Sequence, residues 1–427
     1  MKNRIFGRFT PLQFALFLFM LGVQFILSGT ANAAWLAAPF MMGDMTNFAQ
    51  LAPDKIKFIQ KEIRHEIEAA SFLLTRYCGK GQNFPIEKIT NLKRMPGGGE
   101  EVIMTLVPHL VGDGGVGSLG GNREGREEKL TKFQQKVQID EIFNMVRSEG
   151  ELAEQASVVD FRQEAKPALK YWHANRTDQL IMLTMSGISY AYNLDGSLRT
   201  EVLDFNGQPI SSDFVSLKFA TDLTAPSAKR HRRWDGTAKK LVAGDTTAVT
   251  ISDTPSYKML LSGKAYAKTH RMPPLQAGGK QWYLVLMQPY SLAMLKNDPD
   301  YKAAVIQGGV RGDDNPFFSG AIPTIDGLLI VEYEYVYNTT GASTRWGAGE
   351  DVNGTRTLLL GAQGVGYADL EQGGEPRYEE KKFQYNTQSG IMVSKFLGII
   401  KPKYYSTFDR SEEDFSVLAI DHYMEEY

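Results

Sequence analysis

The sequence predicts an α+β fold, and three observations carry that prediction. Residues 53–77 and 151–186 repeat apolar side chains at every third or fourth position, as amphipathic helices do. Residues 100–111 and 132–140 alternate in the manner of strands and flank a glycine-rich connection, the pattern of a long hairpin. The last third alternates glycine-rich turns with strand-like runs. At 427 residues the chain exceeds one compact core, and roughly 150 residues per unit suggests two or three.

Taken in order, Lys2, Arg4 and Arg8 precede an apolar run from Leu12 to Leu27, followed by the small residues Ser28-Gly29-Thr30-Ala31-Asn32-Ala33. A basic start, apolar middle and small-residue exit meet the description of a bacterial secretory signal peptide, and the run is short for a spanning helix. The alternative is an apolar arm packed against something large. The first helix carries Ile56, Ile59, Ile63, Ile67, Ala70 and Leu74 on one face and stops at Gly79-Lys80-Gly81. In the first hairpin strand Val102, Met104 and Leu106 oppose Ile103, Thr105 and Val107; in the second, Phe133, Gln135, Val137 and Ile139 share a face. Between them lies Gly112-Asp113-Gly114-Gly115-Val116-Gly117-Ser118-Leu119-Gly120-Gly121, the tip of a large hairpin.

The longest helical pattern places Phe161, Ala165, Leu169, Trp172, Arg176, Leu180 and Leu183 on or near one stripe, a buried spine. Pro167 removes a ladder bond, at about 3 kcal/mol, and predicts a kink or two abutting helices. Residues 190–280 read as strands and loops with turns at Asp195-Gly196, Asn206-Gly207 and Asp235-Gly236. Beyond them come a buried strand Gln281–Met287, a helix Ser291–Gly308, a strand Gly327–Tyr337, and strands at Thr355–Leu360, Lys382–Tyr385 and Ile391–Ile399. The absence of a fixed-period repeat excludes solenoids and propellers.

Lys+Arg 47 against Asp+Glu 49 lacks the positive excess that a sequence-independent grip on phosphates demands. One cysteine, Cys78, forms no intrachain disulfide and reads as packing. The six histidines lack ligand spacing, so no metal is expected; Ala69 stands where His65-Glu66 would need a second histidine for zinc. Gly115-x-Gly117-x-x-Gly120, with Asp140 about 20 residues on, fits a dinucleotide fingerprint, but the segment becomes a strand where that motif requires a helix. Glu332 and Glu334 read as a solvated strand face rather than an acid/base pair, and Arg311-Gly312-Asp313 as a loop coincidence. No catalytic residue and no cofactor are expected. Lys229, Arg230, Arg232 and Arg233, with His231 between them, form the densest charge in the chain, a candidate contact for nucleic acid or an acidic partner.

The order of elements resembles the Hong Kong 97 type fold of tailed-phage major capsid proteins. Short blocks in order carry a narrower resemblance: Gly112-Asp113-Gly114 through Glu127-Glu128-Lys129-Leu130, Val137-Gln138-Ile139-Asp140, Phe161-Arg162-Gln163-Glu164-Ala165, Leu169-Lys170-Tyr171-Trp172, Arg176-Thr177-Asp178-Gln179, Tyr283 to Pro289, Asn315-Pro316-Phe317-Phe318-Ser319-Gly320 and Leu358 to Gln363. These are similar to the major capsid proteins of podoviruses with a large virion RNA polymerase, over about residues 50–405. The resemblance implies an N-terminal arm (1–79), an extended loop (80–148), a peripheral domain (149–235 and 350–427) with a spine helix including Phe161, Leu169, Trp172, Arg176 and Asp178, and an axial domain (236–349). Gly112, Asp113, Gly114, Gly115, Gly117, Gly120 and Gly121 would form the loop tip that contacts the neighbouring subunit.

The function so implied is a self-assembling subunit of an icosahedral head, without catalysis. Its partners would be copies of itself as hexamers and pentamers, packaged double-stranded DNA held by weak contacts, and portal, scaffold or decoration proteins, with no stable membrane partner. It would assemble in the host cytoplasm and reside in the virion. Residues 1–40 depart from that pattern; they are either an arm or the product of a start placed before Met41 or Met42. The competing readings are an exported cell-envelope binding protein, a nanocompartment shell of the same fold and an unrecognised hydrolase.

Overall fold

In the computed structural model, which describes residues 67, 70–89, 101–106, 133–150, 161–199, 202–203, 206–210, 212–308, 324–369 and 376–426, the first amphipathic run is interrupted. Ile67 and Ala70 are helical, but Ser71 is extended and starts a new helix, α1 (Phe72–Arg76), by accepting the Leu74 N–H through its hydroxyl at 3.2 Å. The single helix expected over 53–77 is therefore two at its C-terminal end, because a serine there satisfies free helix N–H groups better than it sustains a helix. Two short strands follow, β1 (Cys78–Gly79) and β2 (Ile86–Ile89). Cys78 is half-buried against the main core, as its packing role predicts.

The hairpin strands are β3 (Glu101–Leu106) and β4 (Phe133–Gln138), antiparallel in the register Val102 to Val137 and Leu106 to Phe133. Val102, Met104, Leu106 and Val137 are buried while Ile103 is exposed, so the alternation read from the sequence is the alternation observed. The tip residues Gly112–Gly121 and the first forty residues lie outside the described residues. The strand continues almost directly into β5 (Asp140–Arg147).

The spine is one helix, α2 (Phe161–Ser186), continuous through Pro167. This corrects the expectation of two abutting helices. Pro167 lies on the exposed face and near the start of the described helix, where a missing ladder bond disturbs no packed surface. From Leu180 to Ser186 every residue is buried, so this end is enclosed all round rather than along one stripe.

Next come β6 (Val202–Leu203), β7 (Pro209–Ile210), β8 (His231–Asp235) and β9 (Lys240–Ala243). A 13-residue helix, α3 (Tyr257–Thr269), follows within the region read as strands and loops. Its inward face is Met259, Leu260, Gly263 and Ala267, and the last two are too small to extend the apolar period that Met259 and Leu260 begin. Beyond β10 (Leu275–Ala277) and β11 (Lys280–Met287), the helix expected over 291–308 is two, α4 (Pro289–Asn297) and α5 (Pro299–Gly308). Asp298 is forced out of the helical region by Pro299 behind it.

The remaining strands are β12 (Thr324–Ile325), β13 (Leu328–Glu332), β14 (Gly354–Leu360), β15 (Val365–Asp369), β16 (Arg377–Phe383), β17 (Gln388–Ile400), β18 (Lys403–Ser406), β19 (Ser411–Asp414) and β20 (Val417–Tyr423). The strand expected to reach Tyr337 stops at Glu332. Glu332 and Glu334 are both exposed, but Glu334 sits in the turn that follows.

One sheet runs β1-β2-β15-β17-β16, with β5 also paired to β17; α2 lies against β17 and β5. The other runs β12-β13-β11-β14-β20-β8-β9, with β10 beside β11. In this second sheet Leu284, Leu286, Leu358, Leu360, Val417 and Ala419 face the core shared with the spine. Tyr283, Val285, Met287, Leu359, Leu418 and Ile420 face a second core built with α3, α4 and α5. Covering on both faces explains why β11, β14 and β20 read as nearly unbroken apolar runs. A third core joins the β3–β4 hairpin to Ala368, Ile400, Tyr404 and Phe415. In the eight-stranded sheet β14 pairs with β11, β8 pairs with β9, and β20 lies between β14 and β8.

Candidate functional site

No group of histidine, cysteine or carboxylate side chains able to hold a metal occurs among the described residues. The polar chemistry instead sits at the seams between elements, above all along the spine helix. Near its middle, Asp178 is 2% exposed and accepts the Ser71 hydroxyl at 2.5 Å and the Phe72 N–H at 3.0 Å. Phe72 stacks on Tyr333 with ring centroids 5.0 Å apart, beside the same carboxylate. Burial raises the Asp178 pKa, and the bonds from Ser71 and Phe72 oppose that rise. One spine carboxylate thus gathers the chain entering at Ser71 and the turn leaving β13.

Five residues earlier, His173 donates from Nε2 to the Val393 carbonyl of β17 at 2.9 Å. Burial lowers its pKa to about 4, so it stays neutral and fastens helix to sheet. Of the other spine residues read from the sequence, Leu169 is buried, Phe161 is half-buried, and Arg176 lies over half-buried Trp172 while donating to Gln179 at 2.6 Å.

At the helix C-terminus Arg356, from β14, donates from one terminal nitrogen to the Ser186 carbonyl at 2.6 Å. Its Nε and other terminal nitrogen grip both oxygens of Asp421 on β20, at 2.7 and 2.9 Å. The residues are directly opposite in the β14–β20 register. Burial would raise the Asp421 pKa, but the facing guanidinium and His231, 2.6 Å away, overcome it and hold the carboxyl at about 2. A cation at a helix C-terminus also opposes the negative end of the helix dipole. His422 alongside is lowered to about 4 by burial; its ring accepts from Thr357 and donates to the Tyr423 carbonyl.

The basic run does not form a common outward face. Arg230 is fully buried, 3.2 Å from Glu413. Arg233 donates to Asp253 at 2.7 Å, and Arg232 lies over the Tyr266 ring, 4.4 Å from its centroid. Lys229 is half-buried. Arg230 is therefore withdrawn from the candidate contact residues, because its charge is spent inside the fold. Ser71, Tyr333, Arg356 and Asp421 were not singled out from the sequence. Their signal is contact between distant segments, which spacing along one chain does not display.

The arrangement fastens a long helix to two sheets, to one through His173 and to the other through Arg356. The family profile described as phage capsid protein matches residues 43–426. The chain is 42% identical over 385 residues to the major capsid protein of Pseudomonas phage KPP25, covering 89% of this chain and 98% of that one. Among solved structures it is similar to the capsid of Ralstonia phage GP4, with a TM-score of 0.64 and 22% identity over 83% of this chain and 92% of that chain. It is also similar to the capsid of cyanophage Pam1, with a TM-score of 0.59 and 16% identity over 82% of this chain and 91% of that chain. A spine fastened to two sheets and these likenesses lead to one statement: the chain belongs to the phage capsid protein family and is a major capsid protein, a structural subunit of which many copies build the shell of the virion.

Proposed function

We propose that the subunit works as the Hong Kong 97 type does, in the subgroup of podoviruses with a large virion RNA polymerase. The β3–β4 hairpin is the root of an extended loop that lies over the neighbouring subunit in hexamers and pentamers. The six-stranded sheet with α2 is the peripheral lobe; the eight-stranded sheet with α3 to α5 is the axial lobe, and it takes β8, β14 and β20. The observation that carries this reading is the spine helix, joined to one sheet through His173 and to the other through Arg356. Such a helix passes a rotation of one lobe to the other, which an expanding shell requires.

Residues 1–40 act as an arm that ties subunits together, and an N-terminus at Ala34 in purified particles would overturn that role. Packaged double-stranded DNA is held by weak contacts, to which the half-buried Lys229 and Arg232 contribute. Portal, scaffold or decoration proteins complete the head, which assembles in the host cytoplasm.

The loop tip is the part to test. Gly112, Gly114, Gly115, Gly117, Gly120 and Gly121 let it change path at small cost, since glycine adopts dihedrals closed to other residues. Replacing both Gly115 and Gly117 by valine is expected to block assembly or expansion while the subunit stays folded. Electron micrographs showing normal heads from that double variant would sink the proposal.

A further inference from the structure

The two-stranded hairpin β18–β19 belongs to neither large sheet, yet each of its strands bonds to a different part of the structure. On one side it meets the β3–β4 hairpin. The Gln135 amide donates to the Lys403 carbonyl at 2.8 Å and accepts the Lys403 N–H at 3.0 Å, so one side chain imitates a rung of a sheet. Phe133 and Tyr404 pack edge to face beside it, 6.3 Å between centroids, and Tyr404 in turn packs on Phe415.

The other side is seated on the corner between β8 and the end of α3, and that seat is ionic. Arg230 donates to the Asp414 carbonyl at 3.2 Å and to the His270 carbonyl at 3.1 Å, and lies against Glu413. Asp414 exchanges two bonds with Ser227, each at 3.1 Å, and pairs with buried Lys401 at 3.2 Å. His270 meets Asp409 at 2.9 Å.

We propose that β18–β19 is a coupling strut, which transmits displacement of the β3–β4 hairpin to the Arg230–His270 corner of the eight-stranded sheet. Its two ends differ in kind. The Gln135 end is a pair of neutral bonds that registers the position of the hairpin. The corner end is a set of buried charges, strongly favoured in one geometry and unfavourable in others, so it switches rather than bends. A hairpin that moves must either drag this seat or lose both Gln135 bonds together with the Phe133–Tyr404 packing, and that combined contact is what carries the displacement.

Hydrogen exchange on the purified full-length subunit tests the strut. Gln135→Ala removes the rung and touches nothing at the corner. It is expected to speed exchange of the backbone N–H groups of Arg230, His231 and Met272 by about tenfold, with β11 and β14 unchanged. Ile103→Ser, on the exposed face of the same hairpin, is expected to leave the corner as it is. Unaltered corner exchange in Gln135→Ala overturns the proposal, and so does a uniform acceleration that includes β11 and β14. If Gln135→Ala does not yield folded protein, Gln135→Glu, which keeps the length but loses the donor, is read in the same way. The outcome is independent of whether shells form, so failure of the strut and failure of the assembly reading are told apart.

Discussion

Arg356 and Asp421 face each other across β14 and β20 and join through two parallel hydrogen bonds, while the third guanidinium nitrogen takes the carbonyl that ends the spine helix. Both side chains are almost wholly enclosed, at 5% and 0% exposure. Removing one member of a buried pair strands the other charge, which typically costs about 3–5 kcal/mol. Arg356→Ala is therefore expected to lower subunit stability by that amount in urea unfolding. Arg356→Lys is expected to recover only part, because an ammonium cannot match both carboxylate oxygens and reach Ser186 as well. Equal stability of the Lys variant and the wild type would refute the geometric account.

The buried histidines predict how the unassembled subunit responds to acid. Burial lowers both His173 and His422 to about 4, against an ordinary value of about 6.5. Between those limits the unfolded chain binds protons that the folded chain does not, so stability rises with pH there. The contribution is full above pH 6.5 and is lost as pH falls towards 4, by at most about 3 kcal/mol per histidine. Asp421, held at about 2, loses its share only below about pH 4, in a separate window. His422→Gln is expected to reduce the pH slope of unfolding free energy between 6.5 and 4 by one proton, and an unchanged slope would assign the titration elsewhere.

Which features were legible in the sequence follows from where their partners lie. The β3–β4 alternation was readable because one face is buried and the other is not: Met104 is 2% exposed and Ile103 53%. The spine as far as Gln179 was readable for the same reason at a different period, with Ala165 and Leu169 buried and Glu164 and Tyr171 exposed. α3 was not, since Gly263 and Ala267 occupy its inward face so that Ile420 can approach. The basic run showed its charge but not its destination, because Asp421 lies 190 residues from His231 and Asp253 lies 20 from Arg233. Local pattern reports burial, whereas ion pairing across sheets is a property of topology.

Asp178 predicts a graded series. It accepts from Ser71 and Phe72 at once, so Asp178→Leu leaves a buried hydroxyl and a half-buried N–H without this partner, at about 2–3 kcal/mol. Asp178→Asn keeps an acceptor oxygen, and because burial already disfavours the charge, its cost is expected to be about 1 kcal/mol. Ser71→Ala loses the helix cap as well, again at about 1 kcal/mol. Chemical denaturation ranks the three, and an Asn variant as damaged as the Leu variant would show that the charge itself is required.

Gly398 marks where β17 passes the root of the hairpin. A Cβ there would stand 2.3 Å from the Gln138 carbonyl oxygen and 3.1 Å from Val137, a backbone clash that no rotamer relieves. Gly398→Ala must therefore push β4 away from β17 and open the core containing Val137, Ile139 and Ile400. Overpacking of this kind costs about 1–3 kcal/mol. The loss should concentrate at the hairpin root, because β14 and β20 lie in the other sheet. Gly278→Ala supplies the comparison: its Cβ would meet nothing within 4 Å, although its φ of +59° carries a strain of about 1 kcal/mol. Hydrogen exchange that rises in β3 and β4 for Gly398→Ala alone is the expected result. The same rise in both variants would mean that the close approach of β17 does not set the hairpin's position.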